Sequence, residues 1–162
     1  AGTGAVAIGL AKLGASVLAT DFDSSALENL QFNVERNGVG RLVRALRWDW
    51  AEPPPARLRE AGLQYCVGSE LAYGGNAALL CGAIAALRAA APGLETHLLL
   101  RERCGQSVRG LVECCGRAGM EVRLEPLARF GRPEEYMLLS EDEEEWGGNP
   151  AFLPGTVSYL RL

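Results

Sequence analysis

The chain is poor in the residues that most often bind metal ions or move protons. His97 is the one histidine among 162 residues, and the 16 Lys and Arg residues include a single lysine, Lys12. The five cysteines form no CxxC pair, and their number is odd. A structural zinc site needs paired ligands at short spacing, and a secreted disulfide framework needs an even count. We therefore expect no metal, and buried reduced thiols as in a cytoplasmic or nuclear protein.

The sequence also lacks an excess of positive charge and a long apolar run. Its net charge is −4, whereas nucleic-acid-binding domains are usually basic. The most apolar stretch, residues 77–91, is interrupted by Arg88 and is too short for a membrane span. A hydrophobic content of 48% excludes a largely disordered chain. We expect a monomeric domain that has neither nucleic acid nor a membrane as a partner.

Patterns typical of helices and of strands alternate along the chain. Residues 6–13 have apolar side chains at helical spacing, and residues 16–20 form a short apolar run that ends at Asp21. Ser25 and Glu28 match a capping box at the start of the next helix. The alternation continues with helices at 76–90 and 108–117 and strands at 42–46, 65–68, 96–100 and 120–124. This order predicts an α/β fold with a doubly wound, mostly parallel sheet.

The last third of the chain is less regular. We expect a single domain of residues 1–162, in which 1–125 form the core and 126–155 form an acidic insertion or loop. The alternating residues 156–162 are the preferred last strand, and residues 136–140 are the alternative. The acidic run at 141–145 is interpreted as solvated loop, with docking of a basic partner as the alternative.

A glycine-rich turn opens the chain and is followed by the first helix. Gly2-Thr3-Gly4 allows close approach of a ligand, and the helix start offers free N–H groups and a positive dipole end. Gly2-x-Gly4-x-x-Ala7 also matches the dinucleotide-binding fingerprint. The pattern indicates a nucleotide-type ligand.

An acidic residue ends the strand that follows this helix. A carboxylate at this place, Asp21, can accept both ribose hydroxyls of an adenosine. The alternative is that Asp21 caps the next helix. Because Asp23 and Ser24 can do that as well, we expect Asp21 to be free for the ribose.

Three motifs follow in order: Asn33-Val34-Glu35-Arg36-Asn37, Leu46-Arg47-Trp48 and Glu70-Leu71-Ala72-Tyr73. With the glycine turn and Asp21, they make about residues 1–125 resemble the seven-strand class I S-adenosylmethionine methyltransferases, in particular the protein-lysine methyltransferase branch. That branch has E-L-G-x-G-T-G, an acid after strand two, N-V-x-x-N, L-x-W and D/E-x-x-Y/F. The resemblance implies a Rossmann-like fold, S-adenosylmethionine as cofactor and a protein lysine as methyl acceptor.

The aligned motifs give expected cofactor contacts. An indole after the third predicted strand, Trp48, is suited to flank the adenine ring, and Asp49 can accept a hydrogen bond from the adenine amine. The alternative for Trp48 is a packing residue, and Asn33 and Asn37 are interpreted as structural. The full set of expected cofactor-binding residues is Gly2, Thr3, Gly4, Asp21, Trp48, Asp49 and Ser69.

Glu70 and Tyr73 are the expected catalytic residues. A carboxylate beside the sulfonium can hold the incoming amine in line with the methyl group, and an aromatic ring can shape the lysine channel. The family usually has Asp where this chain has Glu70. The alternative is that Glu70 caps the helix that follows.

The resemblance lacks its beginning, and this leaves other functions open. The first strand of the family, with its acid and first glycine, would precede Ala1, so we expect an N-terminally truncated and nearly inactive chain. A non-catalytic methyltransferase-like interaction domain is one alternative. A nicotinamide-dependent oxidoreductase is another, but the sequence offers no suitable proton donor, because Lys12 lies in the first helix and His97 in a strand.

Overall fold

The computed structural model describes residues 1–72, 75–101, 107–126 and 157–162. Helices and strands alternate through most of this range, as expected for βα units. In chain order the elements are α1 Ala5–Lys12, β1 Val17–Asp21, α2 Ser24–Arg36, β2 Val43–Arg47, α3 Ala56–Arg59, β3 Tyr65–Ser69, α4 Ala77–Ala90, β4 Glu95–Arg101, α5 Ser107–Arg117, β5 Arg123–Pro126 and β6 Val157–Arg161.

Glycines mark the limits of the first helices. Gly4 precedes α1 with φ +93, and Gly14 follows it with φ +94, conformations that residues with a Cβ rarely adopt. Gly38 has φ +70 just after α2. The capping-box prediction for α2 is wrong, because Asp23 is the N-cap and its Oδ1 accepts a hydrogen bond from the Ser25 N–H at 2.9 Å. Asp23 comes earlier in the chain and already has the extended backbone that an N-cap requires.

The contacts divide the chain into two compact units, of which the first comprises residues 1–63 and 86–92. In this unit β1 and β2 form a parallel pair, in which Asp21 lies opposite Arg47. Helices α1 and α2 supply apolar side chains to its core. The buried residues of that core are Ala7, Ile8, Ala11, Ala19, Leu30, Val34, Val39 and Val43.

The second unit comprises residues 64–85 and 93–162. Its strands are ordered β3-β4-β6-β5, with β3 and β4 parallel and β6 antiparallel to both of its neighbours. Alternate residues of β4 are fully buried: Thr96, Leu98 and Leu100. Helix α5 contributes buried residues at helical spacing, namely Val108, Leu111 and Cys115.

The structure confirms the α/β class and most of the predicted elements. Residues 157–161 form the last strand, β6, whereas β5 begins at residue 123 rather than 120, and α3 was not predicted. The expected acidic insertion or loop, residues 126–155, lies outside the described part of the chain except for Pro126, which ends β5. Among the described strands, β1 and β3 each have one hydrogen-bonded neighbour and belong to different sheets. The described residues include no helix that is long and apolar enough to cross a membrane.

Candidate functional site

The structure brings the glycine turn, residues 1–4, to the end of β1. The Gly2 N–H donates to Asp21 Oδ2 at 2.9 Å, and within the turn the Gly4 N–H donates to the Ala1 carbonyl at 3.1 Å. Gly4 is the N-cap of α1 and offers no side chain to cap it. The start of α1 therefore presents backbone donors next to a carboxylate at the carboxyl end of a parallel strand, as the sequence predicts.

The Asp21 carboxylate is not free, contrary to the expectation from sequence. Its Oδ2 also accepts from the Ala1 amino group at 2.9 Å, and its Oδ1 accepts from the Asp23 N–H at 3.1 Å. Two of these donors are main-chain N–H groups, which every residue except proline carries, so residue types gave no warning of them. The expected reason was correct in one respect, because Asp23 does cap α2.

The environment of Asp21 favours its ionised form. Partial burial alone would raise the pKa of the carboxyl, whose side chain is 16% exposed. Hydrogen bonds from the Ala1 amino group, the Gly2 N–H and the Asp23 N–H, together with the attraction of the Ala1 charge, outweigh burial and lower the pKa. Asp21 is therefore a carboxylate at neutral pH and can act only as an acceptor.

Trp48 and Asp49 follow β2 at the same edge as Asp21. The backbone N–H of Trp48 donates to the Asp21 carbonyl at 2.9 Å, which continues the parallel pairing of β1 and β2 by one residue. The Trp48 side chain is buried, at 5% exposed, and its Nε1–H donates to the Glu52 carbonyl at 3.1 Å. These contacts are those of the packing alternative. Asp49 is half-buried, and its Oδ1 accepts from the Ala51 N–H at 2.9 Å in the loop after β2.

Helix α2 contacts the glycine turn through one of its polar side chains, to which the sequence assigned only a structural role. Asn33 Nδ2 donates to the Thr3 carbonyl at 2.9 Å, although 30 residues separate them. A Cβ added to Gly4 would lie 3.1 Å from Cγ of Leu30, which is fully buried. The available signal was the spacing of Asn33 within its motif, one helical turn after Leu30 on the same side of α2.

In the second unit, Ser69 and Glu70 lie at the carboxyl end of β3. The Glu70 N–H donates to the Leu99 carbonyl at 2.9 Å, so the pairing with β4 continues one residue beyond the strand. Glu70 has φ +54 and is the one residue other than glycine with a positive φ in the described ranges. Its side chain is half-buried. A left-handed backbone at a bulky acidic residue is strained, and such strain concentrates at functional sites.

The chain turns back over β3 directly after Glu70. A Cβ added to Gly68 would overlap Cδ1 of Leu71, so the Leu71 side chain would have to shift to accommodate it. Asn76, just before α4, holds this turn by donating from Nδ2 to the Leu71 carbonyl at 2.9 Å. The second expected catalytic residue, Tyr73, lies outside the described residues.

No group of three or more potential metal ligands occurs within residues 1–72, 75–101, 107–126 and 157–162. Burial raises the pKa of the Cys66 thiol, on β3, to about 11. This thiol is protonated at neutral pH and is a poor nucleophile. In the first unit, the N–H groups at the start of α1 can donate hydrogen bonds to a ligand, and Asp21 can accept them.

No protein-family model matches the chain. Over 44 residues it is 57% identical to a ribosomal protein L11 methyltransferase of Exiguobacterium, a match that covers 26% of this chain and 14% of that protein. A geranyl diphosphate C-methyltransferase of Streptomyces coelicolor has a similar structure, with a TM-score of 0.68 at 10% identity over 99% of this chain and 66% of that one. A human methyltransferase 10 domain containing protein gives a TM-score of 0.58 at 15% identity, over 99% of this chain and 66% of that one.

The chain has the Rossmann-like fold of class I methyltransferases. Since the identities to these structures are low, the likeness shows the fold alone. The same fold occurs in the [4+2]-cyclase SpnF, with a TM-score of 0.62 at 14% identity, so it does not fix a reaction. The chain spans less than two thirds of the length of the methyltransferases described above.

Proposed function

We propose that the full-length protein is an S-adenosylmethionine-dependent methyltransferase whose first unit binds the adenosine part of the cofactor. The observation that carries the proposal is the 2.9 Å hydrogen bond from the Gly2 N–H to Asp21 Oδ2. It joins a glycine turn at an uncapped helix start to a carboxylate at the end of a parallel strand, which is where doubly wound folds bind nucleotides. When bound, S-adenosylmethionine supplies the methyl group and leaves as S-adenosylhomocysteine.

The residues around Asp21 would fit a ribose if the Ala1 nitrogen were an amide within a longer polypeptide. The Ala1 nitrogen now donates to the Thr20 carbonyl at 2.7 Å and to Asp21 Oδ2 at 2.9 Å. An amide nitrogen has one N–H and can keep only one of these contacts well. If it keeps the Thr20 carbonyl, Asp21 has two donors left, Gly2 and Asp23. A carboxylate offers about four acceptor positions, so two ribose hydroxyls can then bind.

Two similar relatives support the choice of cofactor and of a protein acceptor. A geranyl diphosphate methyltransferase of this fold was solved in complex with S-adenosylmethionine, with a TM-score of 0.66 at 12% identity. The relative with the 57% identical stretch is named for a ribosomal protein as its substrate. We infer that this protein methylates a side-chain amine of a protein, and the resemblance of its Glu70 motif favours lysine.

Glu70 is the residue that we assign to the acceptor side, together with Tyr73. Two features support this assignment: Glu70 lies directly after β3, and its backbone is strained. The strand pairing that Glu70 continues does not require a positive φ, so the pairing does not account for the strain. A carboxylate here would accept a hydrogen bond from the incoming amine and hold its lone pair toward the methyl carbon. Glu70→Ala should then lower turnover far more than cofactor affinity. A loss of cofactor affinity with normal turnover at saturating cofactor would instead make Glu70 a cofactor ligand or a helix cap.

The decisive experiment is a calorimetric titration of the full-length protein with S-adenosylhomocysteine, using Asp21→Ala and Asp23→Ala. Asp21→Ala removes charge-assisted hydrogen bonds worth about 1.5–3 kcal/mol each, so affinity should fall at least tenfold. Asp23→Ala removes only the cap of α2 and should cost about 1 kcal/mol of stability with little change in affinity. Equal affinities of wild type and Asp21→Ala would exclude the ribose assignment. Binding of a nicotinamide cofactor instead, or of neither ligand, would favour the oxidoreductase or the interaction domain.

A further inference from the structure

One side chain of α2 reaches the glycine turn from a distant part of the sequence. Asn33 Nδ2 donates to the Thr3 carbonyl at 2.9 Å. The bond joins the middle of α2 to the peptide unit between Thr3 and Gly4, directly before the start of α1. Asn33 itself is half-buried, whereas its neighbours Phe32 and Glu35 are exposed.

The bond fixes the orientation of a peptide plane that α1 depends on. In a trans peptide the C=O and the following N–H point in opposite directions. With the Thr3 carbonyl held toward Asn33, the Gly4 N–H points away and donates to the Ala1 carbonyl at 3.1 Å. Gly4 then enters α1 with φ +93.

Two other side chains, those of Asp21 and Leu30, contact the same turn, but neither fixes this plane. Asp21 accepts from the Gly2 N–H, which is two peptides earlier. Leu30 packs under Gly4 and limits how closely the turn approaches α2 without setting a rotation. Rotation of the Thr3–Gly4 peptide would redirect the Gly4 N–H and the first free N–H groups of α1.

We propose that Asn33 is a positioning residue for the cofactor, acting through the Thr3 carbonyl to aim the glycine turn and the start of α1 at the ligand. This inference rests on the proposed function. It assigns Asn33 no contact with the cofactor. Loss of its amide donor should weaken cofactor binding through the turn, while the first unit stays folded.

Asn37 provides a matched control on the same helix. Its Nδ2 donates to one main-chain carbonyl, that of Asn33, at 2.8 Å, just as Asn33 donates to one main-chain carbonyl. The bond of Asn37 lies at the C-terminal end of α2, away from the glycine turn. Asn33→Leu and Asn37→Leu therefore remove one amide donor each, and only the first removes a contact to the turn.

The test measures S-adenosylhomocysteine affinity by calorimetry, stability by thermal denaturation and the Gly4 amide by ¹⁵N NMR, all in the full-length protein. Asn33→Leu should weaken binding about fivefold, as expected for one neutral hydrogen bond, and should shift the Gly4 amide resonance without ligand. Asn37→Leu should lower the melting temperature about as much as Asn33→Leu does, but it should leave the affinity and the Gly4 resonance unchanged.

Three outcomes would overturn the inference. Wild-type affinity of Asn33→Leu would make the residue merely structural, and so would an equal loss in Asn37→Leu. An unchanged Gly4 resonance in Asn33→Leu would remove the postulated route through Thr3. If the wild type binds no S-adenosylhomocysteine, the proposed function fails and this inference with it, whereas the three results above leave the proposed function intact.

Discussion

The strained backbone of Glu70 predicts that the difference in stability between a glycine and an alanine variant has opposite signs at the two ends of β3. At Glu70, where φ is +54, Glu70→Gly should be more stable than Glu70→Ala. At Gln64, the residue before β3, φ is not positive and the order should be the opposite. Both alanine variants remove the side chain beyond Cβ, so each glycine–alanine comparison isolates the backbone from any side-chain interaction.

The magnitude follows from two opposing terms. A left-handed backbone costs a residue with a Cβ about 1–2 kcal/mol, a cost that glycine avoids. Glycine loses more conformational freedom on folding, which costs about 0.5–1 kcal/mol relative to alanine. At Glu70 the difference leaves glycine ahead by roughly 0.5–1 kcal/mol. At Gln64 only the second term applies, and alanine should be ahead by a similar amount.

The assay is urea unfolding of the four variants in the full-length protein, followed by methyl-transfer turnover at saturating cofactor. Both Glu70 variants should have lost most of their turnover, whichever is the more stable, because the assigned role belongs to the side chain. If Glu70→Ala is more stable than Glu70→Gly by as much as alanine is ahead of glycine at Gln64, the backbone at Glu70 is not strained. If Glu70→Gly keeps normal turnover, Glu70 has no role at the acceptor side.

Three further predictions concern other described groups. In residues 1–162, where the Ala1 amino group is charged, the folded pKa of Asp21 lies below its usual 3.8, so its contribution to stability is present above that pH and is lost as the pH falls through the folded pKa. In this chain Asp21→Asn should flatten the fall in melting temperature below about pH 4, and an unchanged acid limb would contradict this. With a pKa of about 11, native Cys66 should be alkylated by iodoacetamide at pH 8 roughly 100-fold more slowly than in the urea-unfolded chain, as followed by mass spectrometry. Gly68→Ala should cost about 1–3 kcal/mol in urea unfolding, and adding Leu71→Ala should cost less than the sum of the two single changes; strict additivity would show that the two side chains do not compete for space.

Most helices and strands were predictable because residues with strong backbone preferences stand at their ends. Gly14 and Gly38 follow α1 and α2 with positive φ, as the sequence indicated. The meeting of the glycine turn with Asp21 was also predictable, because parallel strands bring their carboxyl ends and the following helix starts to one edge. Helix α3 escaped prediction because four residues are too few for a periodic pattern.

The contacts of the site residues were much harder to predict, because their partners are main-chain groups. Asp21 accepts from two backbone N–H groups, Trp48 donates to the backbone carbonyl of Glu52, and Asn33 donates to that of Thr3. Every residue carries such a carbonyl, and every residue but proline such an N–H, so residue types do not mark them. For this reason the sequence located the candidate site but described Asp21 as free.

Glu70 is the position where local preference and the observed structure disagree most. Glycine or asparagine adopts a left-handed backbone at lower cost than glutamate does, and either would suit the turn between β3 and α4 better. The backbone preference at this position therefore does not favour glutamate. Departures from local preference of this kind are expected where a side chain serves a purpose other than stability. The strain thus supports an assignment to the acceptor side that the motif alone could only suggest, and the glycine and alanine variants separate the cost of the backbone from the use of the carboxylate.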